Sequence, residues 1–81
     1  MSTLATDEQI EQVVFDSLES FGAEREQISR AATLEELSID SLDLAELSQI
    51  VHDRFGVELR GSDVADVKTV DDAIKLIASR L

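Results

Sequence analysis

Apolar side chains at Ile10, Val13, Val14, Leu18 and Phe21 recur at three- and four-residue intervals, the spacing of a helix with one buried face. Thr6-Asp7-Glu8-Gln9 ahead of them has a capping-box pattern, so a first helix is predicted from about Thr6 to Ser20, with Gly22 as its stop. A second series, Leu44, Leu47, Val51 and Phe55, predicts a helix from about Ser41 to Phe55 that Gly56 ends. Its opposite stripe is Leu42, Glu46, Gln49 and Asp53. A third series, Val70, Ala73, Ile74, Ile77, Ala78 and Leu81, follows helical spacing closely behind a Thr69-to-Asp72 cap. Between the second and last helices, Ser62 is expected to cap a short helix through about Val67, with Val64 and Val67 packing inward.

Residues 21–39 form a connection longer than most helix–helix links, so it must be pinned. Ile28, Leu34 and Leu37 are its expected anchors, with a short helical turn near Thr33-Leu34-Glu35-Glu36. The predicted fold is all-α: a small four-helix bundle with three longer helices, one short one, and a long loop between helices one and two. The chain reads as a single domain over residues 1–81, without repeats or low-complexity tracts. A domain of this size buries only roughly 60% of the surface its unfolded chain exposes.

Charge narrows the partners. Eighteen acidic and seven basic residues leave a formal net charge of −11, which repels nucleic acid and anionic membranes. Six acids fall between Glu35 and Asp53 (Glu35, Glu36, Asp40, Asp43, Glu46, Asp53), with no Lys or Arg among them. No apolar stretch is long enough for a membrane span, and Met1-Ser2-Thr3-Leu4-Ala5 lacks a basic region, so a soluble cytoplasmic monomer is expected. The length of 81 residues leads us to expect a freestanding protein.

Catalysis by the chain itself is poorly provided for. It has no Cys, Tyr or Trp and a single histidine, His52, which as a lone histidine on a helix reads as surface. The glycines, at 22, 56 and 61, do not make a nucleophile elbow around Ser41. No residue is assigned as catalytic or as a metal ligand. Ser41 is nevertheless unusual: Asp40 is a good N-cap and Asp43 its capping-box partner, so Ser41 opens the helix. A phosphate ester on its hydroxyl would meet the positive end of the helix dipole.

The run Ala32-Thr33-Leu34-Glu35-Glu36-Leu37-Ser38-Ile39-Asp40-Ser41-Leu42-Asp43-Leu44-Ala45-Glu46-Leu47 resembles the attachment site of acyl carrier proteins. The likeness continues through Phe55-Gly56-Val57-Glu58-Leu59 and Thr69-Val70-Asp71-Asp72-Ala73-Ile74, covering about Thr6 to Leu81. It implies a 4′-phosphopantetheine arm joined to Ser41 by a phosphodiester, with Asp40 and Leu42 flanking it. The arm's thiol would supply what a cysteine-free chain lacks for thioester chemistry. It further implies a partner-binding second helix, here Asp43, Glu46, Gln49 and Asp53. An acyl pocket is assigned to Leu44, Leu47, Ile50 and Val64, which read equally as plain core. Implied partners are holo-acyl-carrier-protein synthase (a phosphopantetheinyl transferase), acyltransferases, ketosynthases and other acyl-processing enzymes.

Three positions depart from the commoner pattern. Ser38 stands where glycine often occurs, Leu59-Arg60-Gly61 lacks a proline, and His52 and Arg54 make the lower second helix less acidic. Fatty-acid, polyketide and other dedicated pathways all remain open. A peptidyl carrier usually has Gly-Gly-His-Ser-like residues before the serine, which Ile39-Asp40-Ser41 does not match. A calcium-binding module would need alternating oxygen ligands with a glycine at the sixth position, and no segment offers them. An acidic adaptor or inhibitor that docks on a basic partner is compatible with the charge pattern.

Overall fold

The structure is a computed structural model that describes residues 7–81. The predicted Thr6 start of the first helix, and the capping box that begins there, lie outside the described residues. Four α-helices follow in order: α1 (Asp7–Ser20), α2 (Ser41–Phe55), α3 (Gly61–Val64) and α4 (Val70–Ser79). α1 packs against both α2 and α4, giving a small helical bundle of three longer elements and one short one.

Each long helix buries the face that its spacing marked out. Ile10, Val14 and Leu18 of α1, Leu47 and Val51 of α2, and Val70, Ile74 and Ile77 of α4 share one core cluster. The edges differ from expectation. Ala78 is exposed, and Leu81, which lies beyond the end of α4 at Ser79, is 50% exposed. Ser17, not predicted as core, is buried on α1, and its hydroxyl donates to Val13 O at 2.7 Å, so burial leaves no orphaned donor.

The long connection is pinned as predicted at Ile28, Leu34 and Leu37, with Ile39 added. A 3₁₀ turn over Arg25–Gln27, not anticipated from the sequence, precedes the expected turn near Thr33. There Thr33 and Glu36 cap each other: Thr33 N–H donates to Glu36 Oε1 at 2.8 Å, and Glu36 N–H to Thr33 Oγ1 at 3.0 Å. The backbone bond to Thr33 holds the Glu36 carboxyl below its ordinary range.

That turn closes with Ile39 N–H on Leu34 O (2.9 Å) and Ser38 N–H on Glu35 O (3.0 Å), a Schellman arrangement. It requires Ser38 at φ 59°, the left-handed region that favours glycine. The structural reason for a glycine there is therefore real, and serine fills the position under strain. Ile39 turns inward, and Asp40 is delivered to the start of α2.

Loop and helix are also stitched together by backbone and charge. Leu34 N–H donates to Lys68 O, Val70 N–H to Ala32 O and Asp71 N–H to Arg30 O, around an isolated Thr33–Thr69 bridge. The Arg30 guanidinium reaches Asp71 (2.7 Å), Asp7 (2.8 Å) and Glu11 (3.1 Å). One loop residue thus ties the first turns of α1 and α4. These hydrogen bonds push the Arg30 pKa up, that from Asp7 most strongly, while Lys75 and then Arg30 hold the Asp71 carboxyl low.

α3 corrects its prediction. It starts at Gly61 and ends at Val64, rather than running from a Ser62 cap to Val67. Asp63 sets the start, because its carboxylate reaches back to Arg60 N–H at 3.0 Å. Ser62 has no such partner three residues on, where Ala65 stands.

Candidate functional site

The start of α2 is held by a reciprocal box. Asp40, at extended φ −102°, accepts Asp43 N–H on Oδ1 at 3.0 Å, and Asp43 Oδ2 accepts Asp40 N–H at 3.3 Å. Leu44 N–H then donates to Asp40 O. Helix geometry leaves the Ser41 and Leu42 N–H groups without intrahelical acceptors, pointing out of the first turn. Ser41 is exposed and carries its hydroxyl beside them.

Ser41 also lines a largely apolar cavity of about 610 Å³, between α2 and α3. Leu44, Ala45, Leu59, Val64 and Val67 supply most of its apolar wall. Ser48 lines it as well, with its hydroxyl engaged on Leu44 O at 3.0 Å. Behind it lies a void of about 10 Å³, where Leu47, Ala73, Leu76 and Ile77 meet Leu44, Val64 and Val67.

The structure therefore brings together three of the four residues assigned to an acyl pocket. Leu44 and Val64 line the outer cavity, and Leu47 lines only the void behind it. Ile50 does not join them. It lines a separate groove of about 310 Å³ with Val13, Ser17 and Arg54, between α1 and α2. Six residues beyond Leu44 is about 1.7 turns, which rotates Ile50 onto a different face. Leu59, Val67 and Leu76 were not assigned to the pocket. Val67 had an inward signal in the sequence, whereas the others become neighbours of Ser41's cavity only through the packing of α3 and α4.

Leu42, Glu46, Gln49 and Asp53 stand together on the outer face of α2. Leu42 is 79% exposed beside Ser41, directed away from the cavity lining. Gln49 Nε2 donates to Asp53 Oδ1 at 3.3 Å, and His52 Nδ1 lies 3.8 Å from the same oxygen. Asp43 is half-buried and occupied by the box. Among the described residues, Lys and Arg ion pairs fall on Asp7, Glu11, Asp16, Glu19, Asp63 and Asp71, all outside positions 35–53. The acids around Ser41 are thus left without compensation by Lys or Arg, concentrating negative potential there.

This arrangement can present a hydroxyl to an approaching enzyme, hold an anionic ester at a helix start, and shelter an apolar chain nearby. The exposed serine and adjacent apolar cavity fit a long substituent with a phosphate at one end. A family profile described as phosphopantetheine attachment site matches residues 18–77. The chain is 35% identical over 74 residues to the acyl carrier protein of Lactococcus lactis subsp. lactis strain IL1403, covering 91% of this chain and 94% of that protein. It is 31% identical over 78 residues to that of Nitratidesulfovibrio vulgaris strain DP4, covering 95% and 99% respectively. Its fold is similar to the solution structure of the 3,7-dioxo-octyl actinorhodin acyl carrier protein from Streptomyces coelicolor. That match has a TM-score of 0.73 and 25% identity, over 99% of this chain and 94% of the other.

Proposed function

Because the chain belongs to the acyl carrier protein family and carries a covalent 4′-phosphopantetheine, we propose that Ser41 is the attachment residue. The observation that carries this reading is the position of Ser41 alone: exposed, first in α2, and at the mouth of the 610 Å³ cavity. Asp40 contributes by capping α2, which leaves the Ser41 and Leu42 N–H groups free to face a phosphodiester. When bound, the arm supplies a thiol on which acyl groups are held as thioesters.

The chain's own residues then bind and present. Leu44, Leu59, Val64 and Val67 shelter the apolar part of the cargo, a gain of about 0.8 kcal/mol per buried CH₂. Leu42, Glu46, Gln49 and Asp53 form the docking face. Its uncompensated acids favour encounter with basic surfaces on a phosphopantetheinyl transferase, acyltransferases and ketosynthases. Those enzymes, of fatty-acid or polyketide synthesis, perform the chemistry; this chain performs none. We place the carrier in the cytoplasm, and no helix among the described residues is long and apolar enough to cross a membrane.

Intact mass after incubation with coenzyme A and a phosphopantetheinyl transferase tests the attachment. Wild-type protein should gain one phosphopantetheine and Ser41→Ala none. A mass gain in Ser41→Ala would place the arm elsewhere.

A further inference from the structure

α3 is a slender wall for the cavity beside Ser41. It has four residues and none is buried, far fewer than a helix needs to persist alone in water. Its hold on the bundle therefore lies in side chains. Val64 is half-buried and lines both the outer cavity and the void behind it. Asp63 supplies a second hold. Its Oδ2 accepts Arg60 N–H at 3.0 Å, and its Oδ1 accepts Arg80 Nη2 at 2.6 Å, with the side chain only 19% exposed. Arg80 is the C-cap residue of α4. A single carboxylate thus joins the start of α3 to the end of α4.

The cavity has a step in depth. The void of about 10 Å³ behind it is about the smallest space that admits one water. A hydrocarbon that has filled the outer cavity goes deeper only if Val64 and Val67 withdraw from Leu44 and Leu47. That withdrawal moves α3 and the turn after it, against the hold of Asp63 on Arg80. We propose that the Asp63–Arg80 ion pair is a specificity-determining latch, which sets how much of an acyl chain this carrier shelters. The inference rests on the reading of Ser41 as the attachment point. Both residues act by positioning α3 and touch no cargo themselves. Arg80, and then the Arg60 N–H, hold the Asp63 carboxyl below the usual carboxylate range, so the latch remains charged at neutral pH.

The test compares wild type, Arg80→Ala, Arg80→Lys and Asp63→Asn, the last keeping an acceptor for Arg60 N–H. Each is loaded from butanoyl- and dodecanoyl-coenzyme A by a phosphopantetheinyl transferase, and loading is read by intact mass. The rate at which hydroxylamine cleaves each thioester is then measured. Arg80→Ala and Asp63→Asn should raise the butanoyl-to-dodecanoyl rate ratio by roughly threefold, the scale of a partly exposed ion pair. Arg80→Lys should stay near wild type, and about 1 M NaCl should move wild type toward Arg80→Ala.

In the unloaded proteins, the Ala65 N–H, bonded to Gly61 O at 3.1 Å, should exchange faster in Arg80→Ala, with α2 amides unchanged. An unchanged ratio in both charge-removing variants, the same rise in Arg25→Ala, which removes a pair elsewhere, or unaltered Ala65 exchange would overturn the latch. Failure of wild type to gain mass would instead overturn the attachment reading, and amide exchange would still decide the latch.

Discussion

Asp40 and Ser41 are adjacent and have separable tasks. Asp40 holds the start of α2 through Asp43 N–H, while Ser41 faces solvent. Asp40→Ala should lower unfolding free energy by about 1 kcal/mol, the usual effect of losing an N-cap. Ser41→Ala should change it by well under about 1 kcal/mol, since alanine is a good helix former. Denaturant titration of both variants checks the contrast; equal losses would show that Ser41 shares the capping. Ser38 offers the opposite case. At φ 59° a serine bears strain that glycine would not, partly offset by glycine's greater freedom in the unfolded chain. Ser38→Gly should therefore stabilise the protein by up to about 1 kcal/mol. A loss of stability on the same titration would show that the serine side chain contributes more than its backbone strain costs.

At the scale of elements, the long connection matters most, because α2, which opens with Ser41, begins where it ends. Four apolar anchors, Ile28, Leu34, Leu37 and Ile39, hold it down, but Arg30 ties it sideways to two helices at once. Arg30→Ala leaves Asp7, Glu11 and Asp71 close together without their shared cation. The melting temperature should fall. Amide exchange should accelerate at Leu34 and Asp71, which donate to Lys68 O and Arg30 O, more than at the α2 amides. Acceleration spread evenly over all helices would mean that Arg30 supports the bundle generally rather than the loop. The same triad makes Asp7 and Glu11 poor controls for charge effects on binding, since reversing either would disturb the fold.

The whole molecule carries its charge unevenly, with six acids and no Lys or Arg between Glu35 and Asp53. Glu46→Lys or Asp53→Lys should slow association with a basic phosphopantetheinyl transferase severalfold at low salt, with the difference shrinking as salt rises. Glu26→Lys, exposed on the loop, should do much less. Stopped-flow association rates decide this, and equal slowing by all three would show that only net charge counts.

Acid acts in two directions. Mild acidification relieves the repulsion of a −11 chain. Against it stand Glu36, Asp63, Asp71 and Asp72, whose carboxyls are all held low in the fold: Glu36 and Asp72 chiefly by backbone N–H bonds, Asp63 by Arg80 and Asp71 by Lys75. A depressed folded pKa means the unfolded chain takes up protons first. The stabilisation is present above the unfolded values of about 4 and is lost as pH falls through and below them. The melting temperature should thus rise modestly from pH 8 toward about 5, then fall below about 4. A monotonic rise down to pH 3 would show these carboxylates to be energetically idle.

Local order is legible in the sequence itself. Asp40 and Asp43 three residues apart, followed by apolar Leu44, Leu47 and Val51, specify where α2 begins and which face it buries. The acid-rich stretch around Ser41, its lack of Lys and Arg, and the absence of a thiol are likewise properties of order along the chain. Periodicity constrains each helix against its own axis and says nothing of how the axes cross. That is why the sequence groups Ile50 with Leu44 although it faces α1, and why Leu59 and Leu76 carry no local mark of the cavity system they wall. The ion pairs that hold the site's surroundings span 41 residues from Arg30 to Asp71 and 17 from Asp63 to Arg80. No local pattern encodes a partner at such separation. Only packing, which brings the ends of α3 and α4 together, makes one carboxylate a cap and a latch at once.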